Sequence, residues 1–196
     1  MKVGFAITSS FCTLKEVLVH IATLKSIGYD IYPIVSENIV KYDTRFGSAD
    51  EFIEKVENIC GHKVSSNIVE AEKFGPTNPM DVMVVMPATG DFLGKMANGI
   101  TDNPVKLAVK ATMRNRKPVV IAISTNDGLG LSGENIMKLY HNKNIYFVPF
   151  GQDNYKDKPN SLIAHYDLLL PTIEEALNNN QIQPVLKEYK KDFKKR

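Results

Sequence analysis

The sequence contains no tryptophan, and it has only two cysteines, Cys12 and Cys60, among its 196 residues. A small secreted domain stapled by disulfides normally carries more cysteines, so this content favours a cytoplasmic protein. No apolar run approaches the roughly 20 residues that a membrane-spanning helix needs. The first ten residues also lack the full apolar region and small-residue cleavage site of a signal peptide. We therefore predict a cytoplasmic protein that does not insert into a membrane.

An excess of charge of one sign is also missing, since 24 basic and 22 acidic side chains give a formal net charge of +2. Six basic and two acidic residues fall within 187–196, which leaves residues 1–186 slightly acidic. Domains that bind nucleic acid are typically basic, so this balance argues against that partner. The length predicts a single domain over 1–186. The basic tail 187–196 is either a solvated terminus or a contact for an acidic partner.

Short apolar runs alternate along the chain with segments of helical periodicity. Strands are predicted at 2–8, 30–35, 82–86, 118–124 and 145–148, with Pro87 ending the third. Helices are predicted at 14–27, from the cap Ser48 to Gly61, from Asn103-Pro104 onward, around 136–140, and from a cap at Thr172. This alternation favours an α/β protein with a doubly wound parallel sheet between two helical layers, a Rossmann-like three-layer architecture.

Polar side chains follow four of the predicted strands. They form the clusters Thr8-Ser9-Ser10, Ser36-Glu37-Asn38, Thr89-Gly90-Asp91 and Ser124-Thr125-Asn126-Asp127. Open α/β sheets bind ligands at the carboxyl ends of their strands, and a helix N-terminus there suits a phosphate. The alternative, that these hydroxyls simply cap helices, stays open at this point. No histidine or cysteine cluster has metal-ligand spacing, which predicts a cofactor site without a metal.

The segment GLGLSG at 128–133 matches the dinucleotide-binding pattern G-x-G-x-x-G. It follows the fourth predicted strand, whereas the dinucleotide fingerprint belongs to the first strand-helix-strand unit. Three extra residues separate the strand from the first glycine, and no acidic residue ends a following strand about 20 residues later. We therefore expect no dinucleotide at this segment.

Four motifs together resemble the FMN-binding flavoprotein family of homo-oligomeric cysteine decarboxylases and flavin prenyltransferases. They are Ser10 after the first strand, Ser36 after the second, PATGDF at 87–92 followed by KMANGITDN at 95–103, and STN at 124–126. The resemblance extends from residue 2 to about residue 150. It implies a homo-oligomer that binds FMN, with a flavin site completed across subunits.

The resemblance assigns the phosphate of FMN to the first two clusters. Ser10 falls on the serine of the family's G-x-T-G-S turn, and Ser9 stands where that turn has its second glycine. Ser10 and Ser36 are expected to hold the phosphate. The remaining cofactor contacts implied are Ala88, Thr89 and Gly90 at the isoalloxazine or ribityl chain, and Ser124 and Thr125 at the border of the ring.

The resemblance places catalytic residues at Asp91 and Asn126. Asp91 falls on the catalytic asparagine of the family's PASANT motif, and Asn126 on the asparagine of its P-x-M-N clamp. The clamp proline and methionine are Ile123 and Thr125 here, and no histidine occupies the region before the third strand where the decarboxylases keep their base. These departures argue against decarboxylation and prenyl transfer, and they leave a site for a flavin or another phosphate-bearing ligand.

A narrower likeness within the family is carried by Arg45-Phe46-Gly47, by residues 122–139, and by the stretch from VPFGQD to KPNS at 148–161. It implies one subunit of a two-subunit oxidoreductase that forms a small aromatic dicarboxylate, with NAD(P) on the partner subunit. Lys95, Arg45 or Arg114 would then bind a substrate carboxylate. Two alternatives stay open, a non-catalytic scaffold for the partner and a diverged cysteine-derivative decarboxylase.

Overall fold

The computed structural model describes residues 1–187, so the rest of the predicted basic tail, 188–196, lies outside the described residues. The strands are β1 Lys2–Ile7, β2 Asp30–Val35, β3 Val82–Ala88, β4 Val119–Thr125, β5 Ile145–Phe147, β6 Phe150–Gly151 and β7 Leu162–Ala164. The helices are α1 Leu14–Ser26, α2 Glu37–Lys41, α3 Ala49–Cys60, α4 Ile68–Glu72, α5 Gly90–Ala97, α6 Pro104–Arg114, α7 Leu131–Tyr140 and α8 Leu169–Leu177. None of these helices is long and apolar enough to cross a membrane.

The sheet runs in the order β2-β1-β3-β4, with β5 pairing in parallel to the first part of β4. After β2 the chain crosses over β1 to enter the sheet again at β3, so the direction of winding reverses between β1 and β3. In sheets of this order the crevice at the reversal is where ligands bind. The topology therefore selects the carboxyl ends of β1 and β3 as the place to look for a site.

The central strands are buried on both faces. All seven residues of β3 and five of the six residues of β1 are buried, as apolar parallel strands between two helical layers should be. Helices α1, α3 and α8 pack on one face, while α4, α6 and α7 cover the other. The predicted three-layer, doubly wound α/β fold is confirmed.

Several helices begin or end at the residues that the sequence predicted. The Ser48 side chain accepts a hydrogen bond from the Glu51 amide at 3.1 Å, and α3 ends at Gly61 with φ +74°. Asn103 caps α6 by accepting from the Lys106 amide at 3.0 Å. Gly28, at φ +92°, follows α1. Positive φ is strained for residues with a Cβ, so glycine at these two stops has a physical reason.

Two predicted element ends are wrong. Pro87 does not end β3, because the strand continues to Ala88 through a register shift against β4 between Val85 and Ala88. Proline lacks an amide proton, and such an irregularity is where a strand tolerates it. Thr172 is not a cap but lies inside α8, where its hydroxyl donates to the Leu168 carbonyl at 2.6 Å.

The structure also contains elements that the sequence pattern did not indicate. Helix α4 is a five-residue helix, and β6 and β7 are strands of two and three residues. β7 pairs antiparallel with the last two residues of β4, so the sheet is mostly but not wholly parallel. Elements this short carry too few residues to show a period, which is why the pattern missed them.

Candidate ligand site at the carboxyl edge of the sheet

Hydroxyl groups from three strands meet where β1, β3 and β4 end. The Thr8 hydroxyl donates to the Pro87 carbonyl at 2.6 Å and lies 3.3 Å from the Thr89 hydroxyl. The Ser10 hydroxyl lies 3.4 Å from the Ser124 hydroxyl. Residues that are far apart in the chain are thus brought together at the reversal of the sheet, as the parallel topology requires.

The hydroxyls at this edge do not serve as helix caps. Ser10, Ser36 and Thr89 each hold the N-cap position of the helix or helical turn that follows, yet none accepts a hydrogen bond there. Elsewhere the caps Ser48, Asn67 and Asn103 accept from the amide three residues on. Thr13, at the start of α1, does not cap either, but its hydroxyl donates to the Ser10 carbonyl at 2.7 Å. Helix capping therefore does not account for the three hydroxyls at the edge, and each can donate its O–H to an oxygen of a ligand.

Ser36 has an unusual environment for a hydroxyl. Its side chain is only 6% exposed, and Oγ has no hydrogen-bond partner among the described residues. The Ser36 amide donates to the Ile7 carbonyl at 3.0 Å, which ties the end of β2 to the end of β1 beside Ser9 and Ser10. Buried polar groups are nearly always paired, so an orphan hydroxyl at the edge of the sheet fits a ligand that carries its own polar atoms.

The other residues proposed to contact the cofactor differ in solvent exposure and in packing. Ala88 is fully buried in β3, so its side chain belongs to the core. A Cβ added to Gly90 would stand 3.0 Å from the Ser132 hydroxyl and 3.1 Å from that of Thr125, so glycine there lets α5 approach β4 and α7 closely. Asn126 is exposed just beyond the end of β4, while Ser9 is half-buried in the turn after β1.

Asp91 enters a network of four charged side chains. Lys95 Nζ is 3.0 Å from Asp91 Oδ1 and 3.0 Å from Asp102 Oδ2. Lys106 Nζ is 2.7 Å from Asp102 Oδ1 and 3.4 Å from Asp91 Oδ2. Hydrogen bonds from Lys106 and Lys95 lower the pKa of Asp102 to about 2, and those to Asp91 and Asp102 raise the pKa of Lys95. The network contains two lysines and two aspartates, so its formal charges cancel.

The three side chains expected to bind a substrate carboxylate lie in three different places. Lys95 belongs to the charged network, so its ammonium already has two carboxylate partners. Arg45 stacks over the Phe46 ring at 4.8 Å in the loop before α3. Arg114 ends α6 shortly before β4 begins, so it lies at the amino end of the strands, away from the site. Arg114 therefore does not reach a ligand at the carboxyl edge.

A cavity of about 340 Å³ opens next to the turn after β1, a size suited to a small molecule. One wall is formed by Phe11, Cys12 and Leu14, and the facing wall comes from Ile39 and the loop 42–48. The Cys12 sulfur lies 3.7 Å from the Ser10 hydroxyl, so the cavity adjoins the hydroxyl cluster.

The glycine pattern at 128–133 forms a tight turn before α7. The amide at the start of this helix, where a phosphate would bind, is already bonded to a carboxylate of the chain. The Asp127 carboxylate accepts from the Ser132 amide at 3.2 Å, at the start of α7. A Cβ at Gly130 would overlap that carboxylate, and one at Gly128 would collide with Leu162. The glycines are explained by this packing, and a bound phosphate at this helix start would meet a negative charge.

The sequence reasoning missed Lys106, whose side chain is 1% exposed. A lysine on a helix is ordinarily assumed to be solvated. The available signal was its spacing, because Asp102 and Lys106, like Asp91 and Lys95, are four residues apart, although only the second pair lies within one helix. That the two pairs meet across α5 and α6 could not be read from the sequence.

The fold and the hydroxyl-lined crevice define a class of protein, and comparison with known proteins agrees. A model of the family described as Flavoprotein matches residues 1–162, and the chain belongs to that family. Within it, the chain is 48% identical over 187 residues to the B subunit of dipicolinate synthase from Bacillus subtilis (strain 168), covering 95% of this chain and 94% of that protein.

Solved structures give the same result. The crystal structure of the dipicolinate synthase B subunit from Bacillus halodurans is 50% identical with a TM-score of 0.88, covering 95% of this chain and 96% of that chain. The FMN-dependent cysteine decarboxylase SpaF has a TM-score of 0.67 at 20% identity, covering 90% and 97% of the two chains. The second likeness concerns the fold alone.

Proposed function

We propose that this chain is the B subunit of a dipicolinate synthase, binds FMN at the carboxyl edge of its sheet, and acts with an NAD(P)-dependent A subunit in the cytoplasm of a sporulating bacterium. The reaction is the dehydrogenation of a dihydro-dipicolinate to pyridine-2,6-dicarboxylate, and a hydroxytetrahydro-dipicolinate precursor would first lose water to reach the dihydro level. The identity to the B subunit of the Bacillus subtilis enzyme supports the role, and membership of the Flavoprotein family supports the cofactor.

The observation that carries the cofactor assignment is the set of three hydroxyls that cap nothing. Ser36 Oγ is buried without a partner among the described residues. Ser10 and Thr89 lie at neighbouring strand ends, and the Thr89 oxygen accepts from Thr8, which leaves its O–H to donate to a ligand. A phosphate would give these groups the partners that the protein does not supply. On this proposal Ser9, Ser10 and Ser36 hold the phosphate of FMN.

The other residues of the edge orient the remainder of the ligand. Thr89 and Gly90 lie against the ribityl chain or isoalloxazine, and Ser124, Thr125 and Asn126 border the ring. FMN held by these residues would supply hydride-acceptor chemistry beside the bound substrate. Asp91, fixed by Lys95 and Lys106, accepts a hydrogen bond from the substrate.

A non-catalytic scaffold for the A subunit is the second candidate, and one observation favours it. The acids at the edge, Asp91 and Asp102, are each bound by two lysines, so neither stands free as a proton-transferring group. On this account the redox step belongs to the A subunit, and the present chain supplies a docking surface.

The test is to purify the chain, record its absorption for the flavin bands, and assay dipicolinate formation with and without the A subunit. A yellow protein whose flavin bleaches on addition of the dihydro substrate supports the first proposal. A colourless protein that raises the turnover of the A subunit supports the scaffold. Release of carbon dioxide from a cysteine derivative would contradict both.

A further inference from the structure

Lys106 carries a positive charge into the interior of the protein, at the start of α6. Its side chain is 1% exposed, and its ammonium lies 2.7 Å from Asp102 and 3.4 Å from Asp91. Removing an ammonium from water is costly, and apolar residues in place of a buried ion pair are often equally or more stabilising. Stability of the fold therefore does not explain a buried lysine at this position.

The geometry of the network shows that Lys106 fixes the positions of two carboxylates. Lys106 and Lys95 each contact both Asp91 and Asp102, so the four groups form a closed arrangement that joins α5 to α6. Asp91 is its most accessible acid, with 61% of the side chain exposed. It lies two residues after Thr89, in the first turn of the helix that begins at the candidate site, and each of its oxygens contacts one lysine.

The chemistry of a carboxylate limits what such a site can recognise. An ionised carboxylate only accepts hydrogen bonds, whereas an amide also donates. A ligand group opposite Asp91 must therefore carry an N–H or O–H donor, and an unprotonated ring nitrogen or a carboxylate is disfavoured there.

We propose that Lys106 is a positioning residue, whose buried ammonium ties Asp91 to Asp102 and so fixes a carboxylate that selects ligands with an N–H or O–H donor. The inference deepens the proposed function, since it assumes a dicarboxylate ligand at this edge. It distinguishes a precursor that carries a ring hydroxyl or a ring N–H from the aromatic product, which carries neither.

The experiment compares two probes of equal charge that differ in the donor. Isothermal titration calorimetry measures the Kd of pyridine-2,6-dicarboxylate and of 4-hydroxypyridine-2,6-dicarboxylate for the wild-type chain. A hydrogen bond to a charged group is worth about 1.5–3 kcal/mol, so the hydroxylated probe should bind about tenfold more tightly or better. Equal affinities, or no binding of either probe, would overturn the proposal.

The variants test Lys106 itself. In Lys106→Met the ratio of the two Kd values should fall to about threefold or less, and in Asp91→Asn to about one. Lys110→Met is the matched control, because Lys110 is exposed one turn further along α6 and should keep the wild-type ratio. The loss of one positive charge affects both dianionic probes alike, so it cancels in the ratio.

A purely structural role for Lys106 gives a different result. Lys106→Met would then lower Tm and leave the ratio unchanged, and this outcome would refute the positioning role. If Lys106→Met does not fold, the double variant Lys106→Met with Asp102→Asn keeps the net charge and must show the same fall in the ratio. FMN fluorescence on the same samples separates the two proposals, since the ratio can persist in a chain that binds no flavin.

Discussion

A buried hydroxyl without a hydrogen-bond partner destabilises a folded protein, and Ser36 carries one among the described residues. In the ligand-free chain, Ser36→Ala should therefore raise the free energy of unfolding, by up to about 1–3 kcal/mol. The same substitution should weaken FMN binding, because it removes a proposed phosphate ligand. Urea denaturation and quenching of flavin fluorescence measure the two effects, which have opposite signs.

The matched control is Ser48→Ala, at a serine whose hydroxyl does cap its helix. This variant should lose about 0.5–2 kcal/mol of stability and bind FMN like the wild type. A destabilised Ser36→Ala chain with unchanged FMN affinity would show that the Ser36 hydroxyl serves the fold alone.

Asp102 makes stability depend on pH in a definite direction. Its hydrogen bonds from Lys106 and Lys95 lower its pKa from 3.8 to about 2. A depressed pKa stabilises the folded state above the unfolded value, and this contribution disappears as the pH falls through the folded value. Urea denaturation between about pH 4 and pH 2 should therefore show a loss of stability that is smaller in Asp102→Asn.

Asp50 supplies the comparison for this pH series, since it lies in the first turn of α3 and makes no ion pair within residues 1–187. Asp50→Asn should follow the wild-type curve through the acid range. If Asp102→Asn and Asp50→Asn lose stability equally between these pH values, the network does not hold Asp102 as described.

At the scale of elements, two glycines beside the site should respond in opposite ways to alanine. Gly94 lies inside α5, and an added Cβ would make an ordinary contact with Asn135 at 3.6 Å. Gly94→Ala should stabilise the chain by about 0.5–1 kcal/mol, because alanine lowers the entropy lost on forming the helix. Thermal and urea denaturation measure the gain.

Gly128 joins β4 to the turn before α7, and an added Cβ would come within 2.7 Å of three atoms of the Leu162 side chain on β7. Gly128→Ala should lower stability by about 1–3 kcal/mol through overpacking. A neutral result would mean that β7 can move away from β4 at little cost. Gly128→Ala thus tests whether the short antiparallel strand β7 is firmly packed.

For the whole molecule we predict a homo-oligomer that uses residues 39–47, which are the end of α2 and the loop after it. Tyr42 and Phe46 in this loop are 48% and 41% exposed and line the cavity beside Ser10 and Cys12. Covering such aromatic side chains in an interface would bury apolar area. Light scattering at micromolar concentration should give a mass above that of one chain.

The variant Phe46→Ser should shift this mass toward the monomer and weaken FMN binding, if the flavin site is completed by a neighbouring copy of the chain. Met137→Ser, at a residue 55% exposed on α7, serves as the control and should change neither. A wild-type chain that is monomeric under these conditions would contradict the oligomer prediction.

The sequence by itself determined the strands of the parallel core and the polar clusters at their carboxyl ends. Buried strands such as 82–86 are short and apolar, so they can be recognised from composition alone. Caps such as Ser48 and Asn103 bond to amides three residues away, so the local sequence is enough to predict these helix starts. The family motifs likewise placed Ser10, Ser36 and Thr89 at strand ends. Their position at the edge follows from chain order in a parallel sheet.

Only the tertiary structure decided which of these residues act together. It showed that Ser36 has no partner within residues 1–187, that Arg114 lies at the opposite end of the strands, and that Lys106 is buried between two acids. A hydrogen bond or an ion pair between α5 and α6 depends on side-chain distances of a few ångströms. The order of the elements along the chain does not determine these distances. Local propensity acts over about one turn or one pleat, and the chemistry of this edge is set by contacts beyond that range.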